Sequence, residues 1–242
     1  MNDKILVGTW AEIPTPYVTD ILSSAGLDFS IIDFEHGCID FETAQNMVFA
    51  AHGRNKKAFI RVSSIEESWI LRSLDMGCDG MIFPQVTSVS DVKNIIQLSK
   101  YHPIGNRGFN PYIASSSYRN KGKSFYEKQN CEVKLGIILE DKSVFDNLDE
   151  ILEYPQIDIY YISQYDLSMS LGVAGDVTHP LVLSYMEQAV KKIRAKDKMA
   201  GCMVHSVSEA KQAIKQGFNF IVYKVDSGLL YQVCSDFIEG IK

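Results

Sequence analysis

Eight short runs rich in β-branched and aromatic residues alternate with longer segments of helical period, and this beat constrains the chain more than any other feature. The strand-like runs are Ile5–Thr9, Leu27–Asp33, Lys57–Arg61, Gly80–Phe83, Val133–Leu139, Ile157–Ile162, Met199–Met203 and Phe218–Tyr223. Phe29, Ile31 and Ile32 are too continuously apolar for a half-exposed strand, which suits a sheet covered on both faces. Between the runs lie helical patterns such as Pro16–Ala25, which Gly26 stops, and Pro180–Arg194, with Leu183, Met186, Val190 and Ile193 on one face. Asp40, Ser64 and Ser88 or Ser90 are placed to cap helices. Strands alternating with helices at this pitch become parallel and are joined by right-handed crossovers.

Eight such units in 242 residues predict an α/β chain folded as one (β/α)8 TIM barrel spanning 1–242, closed by a helix over about Ser227–Glu239. The rival, an open doubly wound sheet, wants a glycine-rich turn after its first strand. The chain offers Gly8-Thr9-Trp10-Ala11-Glu12 there, and it contains neither GxGxxG nor GxxxxGK[ST].

Composition narrows the partners. Hydrophobic residues make up 46% and charged residues 22%, and the formal charge of −6 argues against a nucleic-acid partner. No run approaches eighteen apolar residues, so no membrane partner is expected. The five cysteines are scattered, form no CxxC pair and read as reduced thiols; with no cleavable leader at the amino terminus, a cytoplasmic location is expected. The irregular stretch Tyr101–Cys131 is read as the connection after strand four, with short helices, lying over the mouth of the barrel.

Function in such a barrel sits at the carboxyl ends of the strands. Read in order, those ends carry Trp10 and Glu12, then Asp33-Phe34-Glu35-His36-Gly37, Arg61, Pro84-Gln85, Glu140, Asp166, His205 and Lys224. Glu140 and Asp166, on neighbouring strand ends, are candidate ligands for a hard divalent cation such as Mg²⁺ or Mn²⁺, with Co²⁺ also compatible; the plainer alternative is that each caps a helix. His36 is a candidate general base or simply a hydrogen-bonded loop histidine. Arg61 is costly to bury unless it meets an anion, which makes it a candidate clamp for a carboxylate or an enolate oxygen. Asp75 is a candidate orienter of the histidine. Lys224 stands where a Schiff-base lysine could stand, or is a rim charge.

The ordered set of motifs resembles the HpcH/HpaI aldolase family, metal-dependent pyruvate-type aldolases that include 2-oxo-3-deoxy acid aldolases. The resemblance rests on Asp28-Phe29-Ser30-Ile31-Ile32-Asp33-Phe34-Glu35-His36-Gly37, Arg61, Leu74-Asp75-Met76-Gly77, Pro84-Gln85-Val86, Tyr101-His102-Pro103-Ile104-Gly105-Asn106-Arg107-Gly108, Glu140 and Asp166-Leu167-Ser168. It implies a divalent metal held by Glu140 and Asp166, His36 as base with Asp75 as its partner, and Arg61 stabilising a pyruvate enolate. It also implies substrate contacts at Arg61, Gln85, Ser163, Gln164 and Tyr165, a small 2-oxo acid and an aldehyde as substrates, and no Schiff base at Lys224. A homo-oligomer, a hexamer built as a trimer of dimers with the last helix exchanged between neighbours, is implied as well.

Two departures stand out against the family pattern. Ser163-Gln164-Tyr165 replaces a Gly-Pro turn before Asp166, and Ile138 stands where a glutamine is common. Both bear on the pocket, so a synthase that condenses or decarboxylates oxaloacetate or another 2-oxo acid, with an acyl thioester as partner, is the alternative enzyme reading. A sugar-acid-binding or structural barrel without turnover is the other alternative, and it has no use for a base beside a carboxylate pair.

Overall fold

The computed structural model describes residues 4–242. Its eight strands are all parallel and close on themselves in chain order, β1 (Leu6–Ala11), β2 (Phe29–Asp33), β3 (Lys57–Arg61), β4 (Gly80–Phe83), β5 (Lys134–Leu139), β6 (Ile157–Ile162), β7 (Met199–Val204) and β8 (Phe220–Val225). The predicted (β/α)8 barrel is therefore present. Helices α1 (Pro16–Ser24), α2 (Phe41–Gly53), α3 (Glu67–Asp75) and α4 (Val89–Ser99) follow the first four strands. After α4 come a 3₁₀ turn at Ala114–Ser116 and α5 (Lys123–Glu132); α6 (Lys142–Asp146) and α7 (Leu148–Ile151) follow β5. The second half closes with α8 (Gln164–Ser170), α9 (Pro180–Ala195), α10 (Val207–Gln216) and α11 (Asp226–Ile241).

Strand alternation divides the core in two. Trp10, Phe29, Ile31, Phe59, Ile82, Ile138, Ile159, Tyr161, Phe220 and Val222 fill the barrel, while Ile32, Ile60 and Ile221 face the helices. Phe29 stacks on Phe220 with centroids 4.1 Å apart, and Gly8 admits this pair, since a Cβ there would meet the Phe29 ring at 2.3 Å. The same alternation carries upward. If Phe29 and Ile31 point in, so does Asp33; if Phe59 points in, so does Arg61; and β2–β3 register sets Asp33 directly beside Arg61.

Local chemistry ends the elements as expected in several places. Asp40 caps α2 by accepting from the Thr43 N–H at 2.7 Å, and Ser88 and Asp91 form a reciprocal capping box at α4. Ser64 is not a cap, because α3 starts three residues later, after Glu66, without a side-chain hydrogen bond.

Three expectations change. Strand β1 runs on to Ala11, which leaves Trp10 inside the barrel and Glu12 just past the strand end. Strand β8 is displaced by two residues, so Lys224 lies inside it, at a bulge where the Thr9 hydroxyl donates to the Tyr223 carbonyl at 2.9 Å. The third concerns Tyr101–Cys131, which does not lie over the mouth of its own barrel. It comes after α4, not β4, and α4 has already carried the chain away from the rim, so the stretch packs beside the ends of α3 and α4 and leads into the start of β5. Its Arg107 reaches Asp75 at the end of α3, and Lys100 at its root binds the Asn130 and Val133 carbonyls.

Candidate active site

Asp33 is fully buried and holds Arg61 with both oxygens, one from Nε at 2.8 Å and the other from Nη2. The Arg61 guanidinium also lies over the Trp10 ring, 4.1 Å from its centroid, and the Trp10 indole N–H donates to the Tyr161 hydroxyl at 3.3 Å. Glu35, just past β2, approaches Nη1 of Arg61 at 3.1 Å. Arg61 is thus held by an aromatic face and two carboxylates, a cation fixed in place before any substrate arrives.

Around it the rim is crowded with acid. The Glu35 carboxylate accepts from the Gln85 side-chain amide at 3.1 Å, and the Gln85 backbone N–H donates to Glu140. Gln85 sits at φ 58°, a left-handed conformation unusual for a residue with a side chain, and that geometry turns its N–H toward Glu140. Burial first, then the charges of Asp166 and Glu35, push the Glu140 carboxyl above the usual carboxylate range. Asp166 accepts from the Ser163 hydroxyl at 2.5 Å. A half-buried Glu140 whose ionised form is disfavoured by burial and by neighbouring carboxylates is relieved by a cation, so Glu140 with the exposed Asp166 fits a hard divalent ion with most of its coordination left to water and substrate. It offers two carboxylates from neighbouring strand ends, and among the described residues no cluster of three or more His, Cys, Asp and Glu is arranged to hold a metal.

The remaining sequence candidates divide between rim and outer wall. His36 is on the rim, 66% exposed, with its ring nitrogen 3.9 Å from Glu35. Asp75 is not beside it. It sits on the outer wall at the end of α3, bound to Arg107 at 2.9 Å and facing a groove lined by Phe41, Glu42, Arg72 and Tyr118. Within one chain the carboxylate near His36 is therefore Glu35. Ser163, Gln164 and Tyr165 start α8 beside Asp166, but the Ser163 N–H is already given to the Leu139 carbonyl at 3.1 Å. Ile138 is buried in the barrel interior below the rim. His205 only lends its N–H to Glu209, and His52 pairs with Asp79 at 2.8 Å on the outside of the molecule. Sequence reasoning assigns no role to Asp33, Glu35 or Trp10; the signal for the first is the inward parity that Asp33 shares with Arg61.

Fold and rim together define a class, a parallel eight-stranded barrel that gathers a fixed guanidinium and several carboxylates at its strand ends. The model of the HpcH/HpaI aldolase/citrate lyase family matches residues 6–232, and the chain belongs to that family. It is a carbon–carbon lyase of the metal-dependent, class II aldolase type, in a family whose members act on small 2-oxo acids and aldehydes. It is 30% identical over 232 residues to 2-keto-3-deoxy-L-rhamnonate aldolase of Klebsiella pneumoniae, covering 96% of this chain and 87% of the relative. Among solved structures, an HpcH/HpaI aldolase from Desulfitobacterium hafniense superposes with a TM-score of 0.94 at 24% identity, covering 99% of this chain and 93% of the other. The citrate synthase SbnG superposes at 0.90 with 26% identity, covering 99% and 94%. No helix among the described residues is long and apolar enough to cross a membrane.

Proposed function

We propose that the chain cleaves or forms the bond between carbons 3 and 4 of a 2-oxo-4-hydroxy acid, with pyruvate as the enolate partner and an aldehyde as the other product. The observation that carries this reading is the inward guanidinium of Arg61, held rigid by Asp33 and Trp10 beside the Glu140–Asp166 pair. An enolate carries negative charge on its oxygen that the starting ketone lacks, and a cation fixed before it forms stabilises that charge without reorganisation. The likeness to 2-keto-3-deoxy-L-rhamnonate aldolases supports a deoxy sugar acid as the substrate class.

Glu140 and Asp166 would hold a divalent ion, Mg²⁺ or Mn²⁺ by their oxygen chemistry, and that ion supplies Lewis-acid polarisation of the 2-oxo group when bound. The remaining work falls to the chain. Backbone N–H groups of Gln164 and Tyr165 receive the substrate carboxylate, with Gln85 and Arg61 flanking it. His36 accepts the proton of the C4 hydroxyl as the C3–C4 bond breaks, and Arg61 faces the oxygen on which charge develops. Asp75 can reach a His36 only when a second copy brings its outer wall to that rim, so its role as orienter is tied to assembly. The exposed apolar residues of α11, Leu230, Tyr231, Val233, Phe237 and Ile241, support exchange of this helix between copies in a trimer of dimers.

The likeness to a citrate synthase at 26% identity and the apolar Ile138 favour a second reading, a synthase condensing oxaloacetate or another 2-oxo acid. One experiment tests both. Metal-supplemented protein is incubated with pyruvate or oxaloacetate and a panel of aldehydes and acyl thioesters, and products are read by mass spectrometry. Aldol adducts from pyruvate are expected and must vanish on chelation. Adducts only from acyl thioesters would install the synthase reading, and no product with any pair would overturn both.

A further inference from the structure

Glu12 is an acidic side chain of the rim with no task in binding the metal, the substrate carboxylate or the C4 hydroxyl. It succeeds the last residue of β1, and its backbone N–H is pinned by the Asp226 carboxylate at 3.0 Å, which fixes where its side chain departs. The carboxyl is half-buried, its near polar contact is the Ser227 hydroxyl at 3.5 Å, and it has no ion-pair partner among the described residues. The charges that act on it sit on three elements: Asp226 at the start of α11, Asp33 and His36 at the end of β2 and the turn beyond it, and Arg61 on β3. Burial first, then Asp33 and Asp226, lift its proton affinity above the usual carboxylate range, while Arg61 and His36 hold it down. Glu12 follows by two residues the inward-facing Trp10, whose ring carries Arg61, so it continues that face of β1 at the mouth, with neither a cap nor a cation of its own among the described residues.

We propose that Glu12 is a second proton-transfer group of this site, the one that serves carbon 3 of the substrate. The inference rests on the aldolase reading. Cleavage moves two protons in sequence, one off the C4 hydroxyl and one onto C3. His36 takes the proton from the C4 hydroxyl as the C3–C4 electron pair moves into the enolate and the aldehyde departs. The Glu12 carboxyl then gives its proton to C3, converting the enolate to the methyl group of pyruvate and leaving a carboxylate. Transfer of a proton from the imidazolium of His36 to that carboxylate, through solvent, restores both groups, so the cycle consumes no net proton. In the synthetic direction Glu12 takes the methyl proton of pyruvate and His36 returns one to the new alkoxide.

The test has two arms. Carbon-detected NMR of metal-free protein carrying 13C-labelled glutamate should reveal a carboxyl that titrates above the ordinary glutamate range and is lost in Glu12→Gln. A Glu12 resonance titrating at or below that range overturns the proposal, whatever the enzyme acts on. In the second arm, metal-loaded protein is held with pyruvate in D2O, and loss of the methyl proton signal is followed. Glu12→Gln should slow this exchange at least tenfold, while a single turnover of aldehyde release from a 2-oxo-4-hydroxy acid stays within a few-fold of wild type. Wild-type exchange in Glu12→Gln sinks the proposal and leaves the aldolase reading standing. Absence of both exchange and cleavage in the wild type sinks the aldolase reading, and the proposal with it.

Discussion

Asp33 and Arg61 are register partners at the tops of β2 and β3, and they face each other inside the barrel as a doubly bonded pair with the carboxylate fully buried. The pair explains how a guanidinium can wait at the mouth of an apolar barrel without substrate. Asp33 supplies the opposite charge in bidentate geometry, and the Trp10 face covers the underside.

Removing Asp33 strips Arg61 of its buried, doubly bonded partner and leaves it Glu35 alone. Asp33→Asn should lower unfolding stability by about 3–5 kcal/mol and reduce turnover strongly, as measured by urea denaturation and by product formation. The double variant Asp33→Asn with Arg61→Met should be more stable than Asp33→Asn alone, yet inactive. If the double variant is the less stable of the two, the stranded-charge explanation is wrong.

How much of this is legible in the sequence depends on how local the cause is. Strand parity and eightfold alternation are written in neighbouring residues, so the barrel, and the crowding of Arg61, Glu140 and Asp166 at one end, can be read directly. The need of Arg61 for an anion is equally plain, but Asp33, from the next strand, meets that need before any substrate arrives. The place of Asp75 is out of reach of such reasoning because its partner, Arg107, lies 32 residues away in a stretch with no period. The placement of Tyr101–Cys131 over the mouth fails for a simpler reason. Helix α4 has already reversed the chain by then, and the residues after it start at the end of the barrel opposite the rim. The bulge in β8 depends on the Thr9 hydroxyl from the opposite end of the chain and has no local signature.

That bulge sets Lys224 at φ 52°, a conformation natural to glycine, with its ammonium 5.8 Å from the Tyr223 ring centroid and no acidic partner among the described residues. Lys224→Gly should therefore relieve backbone strain and raise stability by about 1 kcal/mol, seen as a higher melting temperature. Turnover should persist, and borohydride with pyruvate should trap no adduct on the wild type. A trapped adduct at Lys224 would restore the Schiff-base alternative.

Lys100 makes stability depend on pH in an unusual direction. Its ammonium is buried against two backbone carbonyls with no carboxylate ion pair among the described residues, and burial pulls its pKa from 10.5 down to about 8. Between those values the unfolded chain holds a proton that the folded chain has released. This group therefore favours folding more as pH rises, and the gain is lost as pH falls through about 8. From pH 7.5 to 9.5 the wild type should gain about 1–2 kcal/mol relative to Lys100→Met in urea unfolding. A constant difference across that window would show that Lys100 stays charged in the fold.

The last helix carries the clearest consequence for assembly. Asp226 is its buried residue, bonded to the N–H groups of Glu12 and Ile13, while Tyr231 is 73% exposed and Phe237 67%. Such a helix, with its apolar residues in water, offers the face that the proposed assembly would cover. The first turn also braces Glu12, so assembly and the rim share an anchor. On the proposed assembly, Phe237→Asp with Tyr231→Asp should give smaller species than the wild type in sedimentation velocity, while circular dichroism keeps the barrel signature. If Asp75 serves His36 across that contact, the dissociated variant should lose turnover even though every rim residue of its own chain is intact. Adding an excess of Asp33→Asn protein, which keeps α11 and Asp75, would then restore activity only where the two can still associate. A dissociated variant with full turnover would show that each barrel carries its whole site and that Asp75 has no part in it.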